Sequence, residues 1–140
     1  MQHQQTKDWV GICGLREINW DQAEGEFGII VHPSFWRQGY SVEAHLALLD
    51  YSFATLKLRT IKFMTDATPH NPMRLFFSTF GIPFIEVKQK FMMVQARDKV
   101  SGEILPKGGE EWQDLALYRL ERAGWPEVRK KLKKSLEEKI

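Results

Sequence analysis

The order of apolar and polar residues along this chain predicts a succession of strands and helices. Runs rich in β-branched and aromatic residues, bounded by turn-forming residues, indicate five strands. They cover residues 9–18, 25–31, 60–65, 83–95 and 112–120. Helices are predicted from residue 41 to about residue 56, over residues 72–80 and from residue 126 to the end, so the order is β-β-α-β-α-β-β-α.

Two of these helices show an apolar stripe that recurs every three or four residues, as expected where one face packs on the rest of a domain. In the first helix, which we expect Ser41 to cap, the stripe is Val42, Leu46, Leu49, Phe53 and Leu56. In the last helix it is Val128, Leu132, Leu136 and Ile140. The middle helix has Pro72 placed for its first turn and Gly81 for its end.

The turn-forming residues predict how the strands connect. A polar turn over residues 19–22 indicates that the first two strands form an antiparallel hairpin. The second strand must break at Pro33, because proline donates no hydrogen bond to a strand ladder. A loop with glycine, proline and lysine is predicted over residues 101–111, between the last two strands.

Composition limits the kind of protein that these elements build. The 140 residues fit a single domain, and 43% of hydrophobic residues suffice for a core. A formal net charge of +2 gives no general electrostatic reason to expect nucleic-acid binding. The histidines are scattered without metal-ligand spacing, so no metal site is expected.

The chain carries no membrane or export signal that we recognise. No stretch approaches the roughly 20 apolar residues that cross a bilayer, and the amino end lacks the apolar core of a signal peptide. The single cysteine, Cys13, excludes a disulfide framework within one chain. We therefore expect a soluble cytoplasmic protein without a membrane partner.

The junction between the second strand and the first helix carries the clearest chemical signal. The strand ends at Pro33, a loop contains Gly39, and the helix starts at about Ser41. A helix start presents unpaired backbone N–H groups and the positive end of the helix dipole, which together hold a phosphate without any side chain. Gly39 lets the backbone approach such an anion closely. The junction is therefore a candidate phosphate site.

The residues around this junction resemble a known family. Residues 26–44 are similar to the strand, pyrophosphate loop and helix of the GNAT superfamily of N-acetyltransferases, most of all to the branch containing ribosomal-protein alanine acetyltransferases. The likeness continues through residues 60–65, 70–74, 80–82, 114–120 and 124–126. It implies an α/β (α+β) fold, in which helices flank a mixed, mostly antiparallel sheet.

The resemblance also implies acetyl-CoA as the cofactor. In this family a loop of the form Gln/Arg-x-x-Gly-x-Gly/Ala wraps the pyrophosphate of coenzyme A, whereas here Trp36 and Ser41 stand at its first and last positions. Main-chain groups of the preceding strand hold the pantetheine arm, and an asparagine lies beside that arm. The implied cofactor-binding residues are Ile29, Ile30, Val31, Arg37, Gln38, Gly39, Tyr40, Ser41, Asn71 and Phe77.

The catalytic groups that the resemblance implies are less complete. Glu26 matches the acidic strand position and is the candidate general base, because a buried carboxylate suits proton transfer near neutral pH. Many members protonate the departing thiolate with a tyrosine where this chain has Phe77, which has no proton to donate. Ser78, Tyr40, His70 or a water would have to serve instead, and Ser78 is the candidate acid.

The largest departure from the family concerns its first strand, two helices and next strand, for which this chain shows no counterpart. We therefore expect a truncated member in which a second copy covers the exposed sheet, so that the chain forms a homodimer. The leading function is an acetyl-CoA-dependent N-acyltransferase acting on a protein N-terminus or a small-molecule amine. The alternatives are a non-catalytic acyl-CoA-binding or interaction module and, through the basic last helix, an RNA-binding protein.

Overall fold

The elements that the sequence predicts are present in the computed structural model, which describes residues 1–95 and 110–138. The strands in these ranges are β1 Gly11–Asn19, β2 Glu24–Val31, β3 Thr60–Asp66, β4 Phe84–Gln95 and β5 Glu110–Glu121. The α-helices are α1 Tyr40–Asp50, α2 Pro72–Thr79 and α3 Trp125–Glu137. None of these helices is long and apolar enough to span a bilayer.

The strands form one sheet in the order β1-β2-β3-β5-β4. Only the β2–β3 pair is parallel among the described pairs, and β1 with β2 forms the predicted antiparallel hairpin. Parallel neighbours need a crossover connection, and here α1 supplies it. The predicted fold class, a mostly antiparallel mixed sheet flanked by helices, is confirmed.

The core lies where the helices meet one face of the sheet. Phe27 of β2 stacks on His45 of α1 with ring centroids 4.3 Å apart, and Phe63 of β3 packs on Phe77 of α2 at 5.1 Å. From α3, Leu132 is fully buried in the same cluster. All three helices therefore pack on one common core, which anchors the start of α1 relative to the strands.

The start of α1 differs from the prediction. Gly39 is the N-cap, with φ 87° and ψ 0°, and the helix begins at Tyr40, so the expected capping role of Ser41 is wrong. The left-handed conformation at Gly39 places the N-cap two residues before Ser41. The far end changes to a π-turn over Tyr51–Thr55, where the Leu56 N–H donates to the Tyr51 carbonyl oxygen at 3.0 Å.

Smaller differences occur near the carboxyl end. Glu110 and Glu111, predicted as loop, belong to β5, because they pair with Gln95 and Val94 in the ladder. The rest of that predicted loop, residues 101–109, lies outside the described residues. The apolar stripe of α3 packs as predicted at Val128 and Leu132 and is half-buried at Leu136, while Ile140 lies outside the described range.

Candidate active site

A cleft opens within the sheet where β2 and β3 part. The two strands pair over only four positions, from Glu24 opposite Thr60 to Phe27 opposite Phe63. Beyond Phe63 the strands diverge, and a cavity of about 450 Å³ lies between them. Its lining includes Ile29 and Ile30 of β2, Met64 and Thr65 of β3, and Phe77 of α2. The cleft therefore opens toward the carboxyl end of β2.

The ladder between β1 and β2 determines which main-chain groups of β2 face this cleft. The His32 N–H donates to the Val10 carbonyl oxygen at 2.7 Å, and bonded positions alternate along an antiparallel ladder. Ile30, two residues before His32, therefore directs its main chain toward β1. Ile29 and Val31 direct their main-chain groups toward the cleft, where the family resemblance implies that the pantetheine arm binds.

The loop after β2 folds back on the strand. The Trp36 indole Nε1–H donates to the Val31 carbonyl oxygen at 2.7 Å, which occupies that acceptor and holds the loop against the strand end. Gln38 Nε2 donates to the Ser34 carbonyl oxygen at 3.2 Å. Arg37, with φ 61°, and Gly39 both take left-handed backbone conformations. The backbone turns sharply here, between the end of β2 and the start of α1.

The first turn of α1 presents free donors. The earliest helical hydrogen bond runs from the Glu43 N–H to the Gly39 carbonyl oxygen at 3.0 Å. The N–H groups of Tyr40, Ser41 and Val42 precede it and have no carbonyl one turn back inside the helix. Together with the helix dipole they form a site suited to an anion. The Tyr40 ring packs edge-on against Phe35 and lines a different cavity, so only its main chain is available.

The candidate base lies on β2 just before the strands part. Glu26 is buried, with 7% of its side chain exposed, and Arg16 Nη2 donates to its Oε1 at 2.7 Å. Arg16 is 64% exposed and lines the cleft, so it covers the carboxylate from the solvent side. This ion pair could not be predicted from the sequence, because it depends on the register that sets Arg16 opposite Glu26.

The two candidates on α2, Phe77 and Ser78, are neighbours in sequence but lie on different faces of the helix. Phe77 is buried, lines the cleft and contacts Phe63 and Tyr118 at centroid distances of 5.1 and 4.6 Å. Ser78 is exposed and lines a separate groove between α2 and the start of β4. Successive helical residues point about 100° apart, so the two side chains cannot share one site. The structure does not bring Ser78 to the cleft.

The side chain of Asn71 ties β3 to α2. Its Oδ1 accepts the Met73 N–H at 3.0 Å and caps α2, while its Nδ2 donates to the Thr65 Oγ1 and to the Asp66 carbonyl oxygen, both at 2.8 Å. With these partners in place, Asn71 positions its neighbours. His70 precedes it in an exposed turn. Thr65 lines the cleft and was not identified from the sequence, since one threonine at a strand end carries no distinctive signal.

A buried histidine lies behind the aromatic floor of the cleft. His45 Nδ1 lies 2.7 Å from the Ser41 carbonyl oxygen, so Nδ1 carries the proton and donates it. Nε2 then has a lone pair, and no described residue donates to it. Burial lowers the pKa of His45 from 6.5 to about 4, so the ring is neutral at neutral pH. Within residues 1–95 and 110–138, no group of three potential ligands is arranged for a metal ion.

Known proteins share this architecture. A mutant form of the spermidine/spermine N-acetyltransferase SpeG from Vibrio cholerae superposes with a TM-score of 0.68 and 21% identity, covering 89% of this chain and 63% of that one. A GCN5-related N-acetyltransferase from Brucella melitensis superposes with a TM-score of 0.72 and 20% identity, covering 94% and 53%. At these identities the likeness concerns the fold alone.

Sequence comparisons identify the family. An uncharacterized N-acetyltransferase, p20, of Bacillus licheniformis is 31% identical over 58 residues, which are 41% of this chain and 33% of that protein. The chain thus spans a third of this curated relative and between half and two thirds of the two structures. The family model described as an acetyltransferase (GNAT) domain matches residues 1–76, more than half of the 140 residues. This chain belongs to the GNAT acetyltransferase family.

Proposed function

We propose that this chain binds acetyl-CoA and transfers the acetyl group to a primary amine of a protein N-terminus or a small molecule. The observation that carries the proposal is the parting of β2 and β3, together with a loop that is held against the end of β2 and leads into α1. A thioester with a long, amide-containing arm and a pyrophosphate needs an open strand edge and an anion site next to each other. Family membership and the N-acetyltransferase relatives support the same activity.

The residues present fit this cofactor. The N–H groups of Tyr40, Ser41 and Val42 suit its pyrophosphate, with Gly39 allowing close approach and the exposed Arg37 and Gln38 beside it. The N–H and carbonyl groups of Ile29 and the N–H group of Val31 face the cleft and suit the amides of the pantetheine arm. Ile30 does not belong to this proposed set, because its main chain faces β1.

The side chains suggest how protons move during transfer. Bound acetyl-CoA supplies an acyl carbon that is open to attack by a neutral amine. Glu26, buried beside the cleft, is the proposed acceptor of the ammonium proton. Thr65 replaces Ser78 as the proposed hydroxyl donor. Its oxygen accepts from Asn71 Nδ2, which leaves its own proton free for a group in the cleft.

A non-catalytic acyl-CoA-binding module is the second candidate. The observation that favours it is Phe77, which puts an aromatic ring without a hydroxyl on the cleft where many members of the family have a tyrosine. Both candidates predict cofactor binding at the same residues. They differ in whether thiol is released when an amine is added.

The first experiment is a thermal-shift titration with acetyl-CoA. At about 100 times the dissociation constant, a ligand should add roughly 2.7 kcal/mol to the free energy of unfolding. No shift at millimolar acetyl-CoA would contradict both candidates. Thiol release is then followed over a panel of amines with wild type, Glu26→Gln and Thr65→Val, using Ser78→Ala as the matched hydroxyl control. Binding without release on any amine favours the module.

Assembly and location complete the proposal. We propose a homodimer, since exposed apolar side chains lie at both ends of the sheet, among them Trp9 just before β1 and Ile85 on β4. We propose the cytoplasm as its location, with which the free thiol of Cys13 is compatible. The likeness of residues 26–44 to ribosomal-protein alanine acetyltransferases supports a protein N-terminus as one acceptor.

A further inference from the structure

The face of the cleft formed by β1 and β2 has an unusual sequence of paired positions. The register sets three pairs side by side: Ile12 with Ile30, Gly14 with Gly28, and Arg16 with Glu26. Residues two apart on a strand point to the same face, so these pairs form one row. The isoleucines are 72% and 73% exposed, and a Cβ on either glycine would meet no atom within 4 Å. The row is an open trough with apolar walls at one end and an ion pair at the other.

The ion pair is asymmetric. One guanidinium nitrogen of Arg16 donates to Glu26 at 2.7 Å, and this is the one hydrogen bond that the described residues give its side chain. A guanidinium has five N–H donors, so most of the donors of Arg16 face the cleft and solvent. Glu26 lies behind it, almost fully covered. The exposed partner can therefore exchange to a new anion, whereas the buried one stays in place.

We propose that the acceptor is a free α-amino acid with an apolar side chain, an inference that rests on the proposed acyl transfer. Such a molecule carries an ammonium and a carboxylate on one carbon. This arrangement complements the ion pair, in which Arg16 Nη2 and Glu26 Oε1 are 2.7 Å apart. Its carboxylate binds Arg16, its ammonium meets Glu26, and its side chain lies in the trough beside Gly14 and Gly28.

This arrangement couples recognition to proton transfer. The acceptor carboxylate draws the Arg16 guanidinium away from Glu26, and the uncovered carboxylate takes one proton from the ammonium and later releases it to solvent. The neutral nitrogen forms a bond to the acyl carbon as the carbon–sulfur bond breaks. The Thr65 hydroxyl gives its proton to the leaving sulfur and takes the second nitrogen proton in its place. An amine without a carboxylate leaves Glu26 covered by Arg16.

The experiment compares leucine, which has a charged carboxylate, with leucinamide, which has a neutral carboxamide in its place. Thiol release with acetyl-CoA gives kcat/KM for each, and we expect leucine to be favoured by about tenfold or more, as for a charged hydrogen-bonded pair. In Arg16→Gln the preference should collapse, with leucinamide faster than in wild type because Glu26 is uncovered. Arg59→Gln removes a charge from an exposed position outside the cleft and should keep the preference.

Binding is measured separately from chemistry. Amide chemical shifts of Gly14 and Gly28 are followed on adding leucine or leucinamide, with and without coenzyme A. Shifts that appear with leucine but not with leucinamide support the trough. In Gly28→Val the shift of the Gly14 amide should be lost, and the added side chain enters open space, so this variant should fold. Equal binding of the two ligands, a preference for leucinamide or for a peptide N-terminus, or an unchanged preference in Arg16→Gln would overturn the inference. Failure of the proposed function appears instead as no thermal shift with acetyl-CoA.

Discussion

At the scale of single residues, the backbone conformation of Gly39 is the feature on which the anion site depends. Its φ of 87° is costly for any residue with a Cβ, by about 1–2 kcal/mol. Gly81 has a similar φ of 77° but follows α2, away from the cleft. The three atoms nearest to a Cβ there all belong to the flexible side chain of Lys131, with Nζ at 2.9 Å. The two glycines therefore form a matched pair for testing position 39.

We predict that Gly39→Ala and Gly81→Ala lose similar stability, about 1–2 kcal/mol by urea unfolding. Only Gly39→Ala should weaken acetyl-CoA binding, by about tenfold or more, because the Cβ blocks close approach and shifts the N–H groups of Tyr40 and Ser41. Isothermal titration of both variants measures this. Equal affinities in the two variants would remove the loop from the proposed cofactor site.

His45 makes the stability of the protein depend on pH. Its pKa is lowered to about 4 by burial, while the unfolded chain titrates at the ordinary value of 6.5. Between these values the unfolded state binds more protons, so stability is full above pH 6.5 and falls as the pH drops toward 4.

We predict that wild type loses about 2 kcal/mol more than His45→Leu between pH 7.5 and pH 5, as measured by urea unfolding. His70→Gln is the control, since it removes an exposed histidine and should follow wild type. Parallel pH curves for wild type and His45→Leu would show that burial of this ring does not govern acid stability.

At the scale of elements, the junction between β3 and α2 is held by one side chain. Asn71 caps α2 and reaches back to Thr65 and Asp66 at the end of β3. A cap alone is worth about 1 kcal/mol, and losing it here also leaves the two strand acceptors without their donor. The same residue thus stabilises a helix and orients a hydroxyl in the cleft.

We predict that Asn71→Ala lowers the free energy of unfolding by about 1–3 kcal/mol. Asn19→Ala is the control, because that side chain only accepts the Gln22 N–H in the exposed β1–β2 turn and should cost less. Urea unfolding measures both. A smaller loss for Asn71→Ala than for Asn19→Ala would contradict the junction role.

At the scale of the whole molecule, the strands at the two ends of the sheet are β1 and β4. Both strands expose large apolar side chains, and such edges favour association.

We predict that light scattering at micromolar concentration gives twice the 16.4 kDa mass of the chain. Trp9→Glu just before β1 and Ile85→Glu on β4 then identify the edge involved, because a charge in the interface should restore the monomer. A monodisperse monomer in wild type would count against the dimer.

Local sequence determined most of the elements of this protein and the strand-to-helix loop that contains Gly39. Periodicity predicted each strand and helix to within a few residues, since apolar spacing and turn formers act over short distances. Pro33 and Gly39 marked the strand-to-helix junction, because proline restricts its own backbone and glycine leaves its backbone free. The error at Ser41 arose where a glycine in a left-handed conformation took over the capping position.

The side chains that meet in and around the cleft were determined by tertiary structure alone. The pairing of Arg16 with Glu26, the parting of β2 from β3 after Phe27, and the approach of Thr65 to Asn71 all join residues from different elements. Strand register and helix packing create these contacts, and neither is encoded in the spacing of a single segment. Phe77 and Ser78 show the same limit, because only the packed orientation of α2 separates the cleft-lining ring from the exposed hydroxyl.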